Sequence, residues 1–294
     1  MSLSVGIVGL PNAGKSTLFN ALLARQIAQV APYPFTTIDP HEGVVPLPDE
    51  RLDKLSEMIK PEKTTPATVI FIDIAGLVKG AHMGEGLGNQ FLAKIREVDA
   101  IAQVVRAFNN PDVPHYYQTI DAKRDIEIIN LELELGGIKK PTIYVSNVGE
   151  DQLRKPEIAF EGAIPVCAKL EMELAELEPA ERKEYLAQLG IKESGLEKLI
   201  KEAYKLLGLI TFYTIKGGKE TKAWSLKSGQ TAIEAAAVVH TDFAKNFIKA
   251  EVISYPELLA AGSWQKAQEL GKVRLEGKDY VVKDGDVIEF KIGT

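Results

Sequence analysis

The stretch GLPNAGKST, residues 9–17, fits the pattern G-x-x-x-x-G-K-[ST] and follows the apolar run SVGIV at residues 4–8. The pattern predicts a phosphate-binding loop, whose glycines let successive backbone N–H groups point into one concavity. Lys15 can then reach the β- and γ-phosphates, and the Ser16 hydroxyl can ligate Mg²⁺. A helical pattern follows, and its positive N-terminal end faces the same anion. We therefore predict a nucleotide site that contains Asn12, Ala13, Gly14, Lys15, Ser16 and Thr17.

The composition of the chain excludes several classes of protein. The chain has 294 residues, enough for one large and one small domain. The net charge of −6 argues against general affinity for nucleic acid, DNA included, or for acidic membranes. A single cysteine, Cys167, excludes an intramolecular disulfide and fits a reduced compartment. The N-terminus has no basic segment, and its apolar run is too short for a signal peptide or a membrane span. We expect a cytoplasmic protein without a membrane partner.

Residues 31–40 form a polar, proline-punctuated segment before an apolar run at 43–47. In nucleotide switches such a loop supplies a threonine hydroxyl to Mg²⁺ only while the γ-phosphate is present. Thr37 is the predicted ligand and Thr36 the next candidate. The alternative is a local hydrogen-bonded turn, since threonine between prolines is common in loops.

The β-branched and aromatic run at residues 68–76 ends in the sequence D-I-A-G. Asp73, at the end of a buried strand, can hold Mg²⁺ through water, and the Gly76 N–H can turn toward the γ-phosphate. Ras-type switches carry a glutamine next, which orients the attacking water. Here that residue is Leu77, so another group must position the water. His82 is a candidate; the alternative is a solvated loop histidine.

Apolar runs at residues 100–108 and 141–148 flank a helical stretch at 118–135. Such alternation predicts βαβ units, hence an α/β domain with a mostly parallel sheet and ligands at the carboxyl ends of the strands. The sequence NVGE at 147–150 stands where GTP-binding switches carry N-K-x-D, whose aspartate accepts hydrogen bonds from guanine. Glu150 and Val148 in these places weaken the case for guanine. The Asn147 side chain or the Val148 backbone could pair with adenine N6 instead.

Residues 163–169 occupy the place of a base-flanking S-A-K loop, with Ala168 in the position of its alanine. Cys167 replaces the serine, and we interpret it as a small buried residue at a strand end. The following residues, 170–207, have helical spacing, and Gly208 ends the last helix.

From residue 209 the pattern changes to period-two strands, with a short helix near 231–239. We predict a final hairpin in which residues 280–282 and 287–290 pair across the turn 283–286. The domains are therefore expected at 1–207 and 208–294, the second being α+β. Residues 208–294 are close to neutral, so the acidic excess lies in 1–207. The smaller domain is the only candidate for contacting RNA, although its composition does not decide the point.

Together these motifs resemble the YchF or Obg-like ATPase family of translation-factor-class P-loop proteins. The specific pieces are GLPNAGKST, PFTTIDP, DIAGLVKGAH, GEGLGNQFL, the N-x-x-E segment, and a C-terminal half similar to the TGS domain in HTDF and RLEGKDYVVKDGDV. The resemblance covers almost the whole chain. It implies a ubiquitin-like β-grasp for 208–294, and a ribosome or ribosomal RNA partner.

For the site, the resemblance implies ATP rather than GTP as the substrate. The triphosphate would be held by residues 12–17, Mg²⁺ by Ser16 and Thr37, and adenine by the Val148 backbone. Leu77 marks the hydrophobic-substituted subclass, in which His82 is a candidate substitute for the glutamine. Asn12 in the loop is compatible with a K⁺ requirement.

The chain departs from the family in one place. Family members carry a long helical hairpin, or arm, between the helix that ends near residue 135 and the strand at 141. Here the sequence GGIKK at 136–140 bridges that gap, so the arm is reduced to a short connection near 131–140. Partner contacts made by the arm are not carried over to this chain, whereas ATP binding is.

The leading hypothesis is a slow, Mg²⁺-dependent ATP hydrolase that acts as a switch on the ribosome and regulates translation or a stress response, with Lys15 as its main catalytic group. One alternative is a ribosome-associated GTPase. Another is a nucleotide-gated scaffold whose hydrolysis is incidental. A small-molecule kinase is least favoured, because no downstream segment resembles an acceptor site.

Overall fold

A computed structural model describes residues 3–29, 41–74, 87–153 and 162–293. Five residues discussed above lie outside these ranges, namely Thr36, Thr37, Gly76, Leu77 and His82. The contacts divide the chain into two compact units. The first contains Met1–Pro46 and Val69–Leu207, and the second contains Leu47–Thr68 and Gly208–Thr294.

The strands are, in chain order, β1 (Ser4–Val8), β2 (Glu42–Pro46), β3 (Lys63–Thr65), β4 (Thr68–Asp73), β5 (Ala100–Arg106), β6 (Thr142–Asn147), β7 (Ile164–Val166), β8 (Leu209–Lys216), β9 (Glu220–Lys227), β10 (Phe247–Ser254), β11 (Arg274–Glu276) and β12 (Asp286–Ile292). The helices are α1 (Lys15–Gln29), α2 (Glu50–Ile59), α3 (Leu87–Glu97), α4 (Ala122–Leu135), α5 (Ala168–Ala175), α6 (Pro179–Gln188), α7 (Gly195–Leu206), α8 (Ala232–Val239), α9 (Thr241–Lys245), α10 (Tyr255–Ala261) and α11 (Trp264–Glu269). A single 3-10 turn, Glu150–Gln152, follows β6 among the described residues.

The first unit is built on a sheet with the strand order β2-β4-β1-β5-β6-β7. Strand β1 runs parallel to β4 and β5, and β6 runs parallel to β5 and β7. Every residue of β1 and β5 is buried, as expected for central strands of a sheet with both faces covered. The predicted α/β class with a mostly parallel sheet is confirmed.

Helices α3 and α4 pack on this sheet through one apolar cluster, which includes Val8, Ile101, Ile95 and Leu133. Helix α1 packs against α5, and α7 packs against β6 and β7. Because the strands are parallel, their carboxyl ends lie at one edge of the sheet. The residues that follow β1, β4, β5, β6 and β7 therefore meet there.

The second unit contains a mixed sheet with the strand order β11-β10-β12-β8-β9-β3. Strands β8 and β9 form an antiparallel pair, as do β10 and β11, and β12 runs parallel to β8 and antiparallel to β10. Helix α8 packs on this sheet through a cluster that contains Phe212, Ala235 and Val252. A C-terminal strand in the centre, parallel to β8, is the arrangement of a β-grasp, as the family resemblance implied.

The structure corrects the predicted C-terminal hairpin. Strand β12 pairs with β10 and β8, whereas Val281 forms an isolated antiparallel bridge to Thr231. The turn Lys283–Asp286 is real, since the Asp286 amide donates to the Lys283 carbonyl. The period-two pattern therefore located a strand but gave it the wrong partner.

Residues 47–68 also group differently from the predicted domains. Strand β3 pairs in parallel with β9, and α2 packs against β9, so both belong to the second unit. The boundaries 1–207 and 208–294, as units that fold independently, stay a prediction.

A bilayer span needs a helix of about 20 mostly apolar residues. Within the ranges that the structure describes, no helix combines the length and the apolar character needed to cross a membrane.

Candidate nucleotide-binding site

The loop between β1 and α1 has the backbone that its glycines predicted. Gly14 has φ +91°, and a Cβ on it would lie 2.1 Å from Nδ2 of Asn147, so only glycine fits. Asn12 also takes a left-handed backbone, with φ 62°. The Leu18 amide donates to the Gly14 carbonyl and starts α1, whose first-turn amides lack partners within the helix and face the concavity.

The Lys15 side chain bonds to the backbone of its own loop. Its Nζ donates to the Leu10 carbonyl at 2.9 Å, and its side chain is buried, with 7% exposure. Burial lowers the pKa of Lys15 to about 8, although the nearby Asp73 carboxylate raises it in part. A buried cation beside an anion-binding loop is suited to bind phosphate oxygens.

Asp73 ends β4, close enough to Lys15 to act on its charge. Its Oδ1 is buried and has no hydrogen-bond partner within the described ranges. A buried carboxylate oxygen without a partner suits a Mg²⁺ ion or one of its waters, which prefer such oxygen ligands. Ser16 lies exposed at the start of α1 and lines the cavity. These donors therefore fit Mg²⁺, while Thr37 lies outside the described residues.

Asn147 connects the P-loop to the opposite wall of the site. Its Nδ2 donates to the Ala13 carbonyl at 2.9 Å, and its Oδ1 accepts from the Ala168 amide at 3.2 Å. The side chain is buried, with 5% exposure. Both ends of the amide thus form hydrogen bonds within the protein, so Asn147 positions the two walls, while the pairing of its side chain with adenine N6 stays a prediction.

The hydrogen-bond pattern at the base end is unfavourable for guanine O6. The Val148 amide already donates to the Val166 carbonyl, and the Ala168 amide donates to Asn147. The amides of Lys169 and Leu170 point at the sulfur of Cys167. An oxygen acceptor such as guanine O6 would therefore compete for donors in use, whereas the Val148 carbonyl can accept from an adenine N6–H.

Cys167 and Glu150 both border the site. Cys167 is buried at the amino end of α5, and burial raises the pKa of its thiol, which agrees with the expected small strand-end residue. Glu150 is exposed at the rim.

Together these residues enclose a cavity of about 620 Å³. Its volume suits a nucleotide-sized ligand. The predicted residues that line it are Asn12, Gly14, Lys15, Ser16, Thr17, Asn147, Val148 and Ala168. Ala13 is buried behind the loop and contributes its carbonyl to Asn147. His82 lies outside the described residues.

Sequence reasoning missed one wall of the cavity. After β5, Phe108, Asn109, Asn110 and Val113 face the site. The Phe108 amide donates to the Asn147 carbonyl, and its ring edge would lie 3.9 Å from a Cβ placed on Gly14. No sequence motif marks this segment; its place after an apolar strand was the one available signal.

Family comparisons agree with this geometry. Residues 4–148 match a family described as 50S ribosome-binding GTPase, and residues 209–293 match the YchF-GTPase_C family, described as a protein of unknown function. "Ribosome-binding ATPase YchF" of Bacillus subtilis is 44% identical over 368 aligned positions, covering 100% of both chains. The protein of the same name from Haemophilus influenzae is 46% identical over 365 positions with the same coverage.

Among solved structures, the "YchF GTPase" of Schizosaccharomyces pombe superimposes with a TM-score of 0.85 at 31% sequence identity. The superposition covers 99% of this chain and 98% of that one. The alignments with the two bacterial proteins are longer than the 294 residues of this chain. These two relatives therefore contain a segment that has no counterpart here.

Proposed function

This chain belongs to the YchF family, and from that premise we propose that it is a Mg²⁺-dependent ATPase that acts as a ribosome-associated switch. Its bacterial relatives at 44% and 46% identity are named ribosome-binding ATPases. The same family includes a protein named a GTPase, so the names alone do not choose the base. The choice rests on the hydrogen-bond donors at the base end of the cavity.

Adenine is the base that these donors favour. The amides of Val148 and Ala168 are both used within the protein, which leaves the Val148 carbonyl as an acceptor. Adenine presents an N6–H donor where guanine presents the O6 acceptor. An acceptor facing an acceptor would leave two buried oxygens unpaired, at a cost of about 1–3 kcal/mol each. This observation supports ATP.

Hydrolysis would depend on positioning and on charge at the γ-phosphate. Lys15 would leave the Leu10 carbonyl and bind the β- and γ-phosphate oxygens, while the first-turn amides of α1 would hold the same charge from the other side. Ser16, Thr37 and Asp73 would hold Mg²⁺, which when bound neutralises charge that develops on the phosphates. With Leu77 in place of a glutamine, turnover should be slow unless His82 or a partner positions the water.

Nucleotide-dependent association with the ribosome, in the cytoplasm, follows from the family premise. In this proposal ATP and ADP set different conformations of residues 31–40 and 74–88, and these set ribosome affinity.

Competition against a fluorescent ATP analogue tests the base. ATP should displace the analogue at lower concentration than GTP. Tighter GTP binding would make the protein a GTPase, the second candidate, and would overturn the interpretation of Glu150 as a residue that weakens guanine recognition. Because Asn12 Nδ2 donates to the Pro114 carbonyl, its Oδ1 remains for a K⁺ ion. Replacing K⁺ by Na⁺ in the same assay tests that requirement.

Ribosome co-sedimentation with a non-hydrolysable ATP analogue and with ADP tests the switch. Unequal binding in the two states is expected, and a change at Thr37 that keeps nucleotide bound should remove the difference. Equal binding in both states would indicate a protein whose hydrolysis is incidental to ribosome binding.

A further inference from the structure

We propose that Arg106 is a positioning residue for the nucleobase, acting through the loop at residues 107–115, which we call the base-side loop. The inference rests on the proposed function, because it concerns the base end of the same cavity. It assigns a role to a charged side chain that no motif marks.

The guanidinium of Arg106 donates hydrogen bonds to three backbone carbonyls of the base-side loop. Its Nε donates to the Phe108 carbonyl at 3.2 Å, and its Nη2 donates to the carbonyls of Asn110 and Val113 at 3.3 and 2.8 Å. The same loop presents side chains to the cavity. The loop backbone therefore faces Arg106 while its side chains face the site.

The Phe108 ring is held by the same cation. The guanidinium carbon lies 4.4 Å from the ring centroid, within the range of a cation–π contact. Phe108 is thus fixed both by its carbonyl and by its ring. An aromatic ring held at the base end of a nucleotide cavity offers a flat surface against which a purine can pack.

Burying the Arg106 cation costs free energy, and packing alone gives no reason for a charged side chain at this position. Arg106 is 3% exposed, and its Nη1 has no hydrogen-bond partner within the described part of the chain. Burial lowers the pKa of its guanidinium, and Asp125 offsets this only in part. An apolar side chain would avoid that cost. The planar donor fork, which can bind several loop carbonyls at once, is the property an apolar residue lacks.

The base-side loop is also tied to the other walls of the site. The amides of Ala107 and Phe108 donate to the Asn147 carbonyl at 2.8 and 3.1 Å, and Gln152 Nε2 donates to the Ala107 carbonyl at 3.3 Å. Asn12 Nδ2 donates to the Pro114 carbonyl at 3.0 Å. Arg106 is therefore one of several supports, and the one that faces the centre of the loop.

The far end of the loop is fixed by a buried pair. His115 Nε2 lies 2.8 Å from Asp125 Oδ2, and both side chains are 5% exposed. His115 Nδ1 accepts from the Tyr117 amide, so the ring proton is on Nε2 and is donated to Asp125. With both ends anchored, loss of Arg106 should loosen the middle of the loop, where the cavity-lining side chains stand.

The test replaces Arg106 by Gln and measures equilibrium binding of ATP, ADP and inorganic tripolyphosphate to the full chain. Affinity for ATP and ADP should fall about tenfold, the size expected from one lost charge-assisted hydrogen bond. Affinity for tripolyphosphate, which has no base, should stay within about twofold of wild type. In steady state the KM for ATP should rise while kcat at saturating ATP stays within about twofold.

Two further variants separate positioning from folding. Arg96→Gln removes an arginine that donates to the Gly136 carbonyl away from the cavity, and it should leave all three affinities unchanged. Arg106→Lys keeps the charge but not the fork, so it should recover little ATP affinity. Thermal unfolding of each variant reports whether the unit is still folded.

Three results would overturn the inference. They are unchanged ATP affinity in a folded Arg106→Gln variant, an equal loss for tripolyphosphate, and a loss confined to kcat. If instead the wild-type chain bound tripolyphosphate but not ATP, the proposed function would be wrong. The effect of Arg106 on ligand binding would then have to be measured with a ligand other than ATP.

Discussion

At the scale of single residues, Lys15 shows how the fold builds an anion site from a buried cation. Its ammonium is buried and satisfied by one backbone carbonyl at 2.9 Å, and its pKa falls to about 8. Triphosphate binding would replace that neutral acceptor by charged oxygens. The charged form of Lys15 is therefore stabilised by the ligand.

We predict that ATP binding takes up a proton at pH 8.5 and that affinity falls as the pH rises above about 8. In the free protein Lys15 is mostly neutral above its pKa of about 8, whereas the bound phosphates raise that pKa. Isothermal calorimetry at pH 8.5 in two buffers with different ionisation enthalpies measures the uptake. Identical heats in both buffers would contradict this assignment. Lys15→Arg, which stays protonated, serves as the control if it binds ATP.

Asp49 and Tyr213 are a second pair whose role is clear from single side chains. Asp49 is the N-cap of α2, accepts from the Arg51 amide at 3.0 Å, and accepts from the Tyr213 hydroxyl. Arg51 in turn donates to Asp284 at 2.7 Å. Burial, followed by Asp49, raises the pKa of Tyr213, so this hydroxyl stays protonated as the donor.

We expect Tyr213→Phe to lower the free energy of unfolding of the second unit by about 1–2 kcal/mol and Asp49→Ala by about 2–3 kcal/mol. In a double-mutant cycle the two losses should be less than additive, because the variants remove one shared hydrogen bond. Urea unfolding followed by Trp224 or Trp264 fluorescence measures them. Strictly additive losses would indicate that the pair is not coupled.

The same pair predicts the direction of alkaline unfolding. The unfolded chain ionises Tyr213 near pH 10, whereas the folded chain keeps it protonated, so stability is lost as the pH rises above about 10. The phenylalanine variant should lose less stability over that range.

At the scale of elements, the end of α4 explains how the chain does without a longer insertion. The Gly136 amide donates to the Glu132 carbonyl, Gly137 has φ +67°, and the Ile138 amide donates to the Leu133 carbonyl at 2.8 Å. Ile138 is buried in the cluster under α3 and α4. This is a complete left-handed helix cap with its apolar contact, so the short connection is a regular helix end.

Gly137→Ala should therefore destabilise the first unit by about 1 kcal/mol, because an L-residue in the left-handed region is strained even where space is open. Apart from the two neighbouring residues, no atom of the described part of the chain lies within 4 Å of a Cβ at this position, so strain rather than contact sets the cost. Gly137→Asn is the matched control and should cost less, since asparagine adopts this region more readily. Chemical unfolding measures both, and an equal cost for the two variants would argue against strain as the cause.

At the scale of the whole molecule, the question is whether the missing segment matters for nucleotide binding. The Gly136–Gly137 junction precedes β6, whereas Asn147 and Val148 stand at its carboxyl end. The two places lie at opposite ends of one strand. The segment that the relatives contain, if it attaches at this junction, would be remote from the cavity.

We predict that a flexible Gly/Ser segment inserted between Gly136 and Gly137 leaves ATP affinity within about twofold, because surface insertions mainly add loop-closure entropy. Ribosome affinity is the property that the relatives' own segment could change. A second variant carries the relatives' own segment at the same junction. For both variants, fluorescent-analogue binding measures ATP affinity and co-sedimentation measures ribosome affinity. A tenfold loss of ATP affinity with the Gly/Ser insertion would show that the junction is coupled to the site.

How much of this could be predicted from the sequence differs between the two units. In the first, the P-loop, Asp73 and Asn147 could be proposed as site residues, because the role predicted for each depends on residue types at fixed short spacing after a strand. The base-side loop was not found, because Arg106 acts through backbone carbonyls, which any residues can supply. In the second unit, period-two patterning located strands, but such a pattern does not specify which strands pair with each other.

By itself the sequence determined that a P-loop lies between the first strand and helix and that the chain carries two kinds of sheet, and it predicted that guanine recognition is weakened at Val148 and Glu150. Only the tertiary structure decided which amides at the base end are already used, that residues 47–68 complete the second sheet, and that Arg106 supports a wall of the cavity. Motifs depend on local spacing along the chain, whereas hydrogen-bond occupancy and strand pairing depend on groups that are brought together from distant positions.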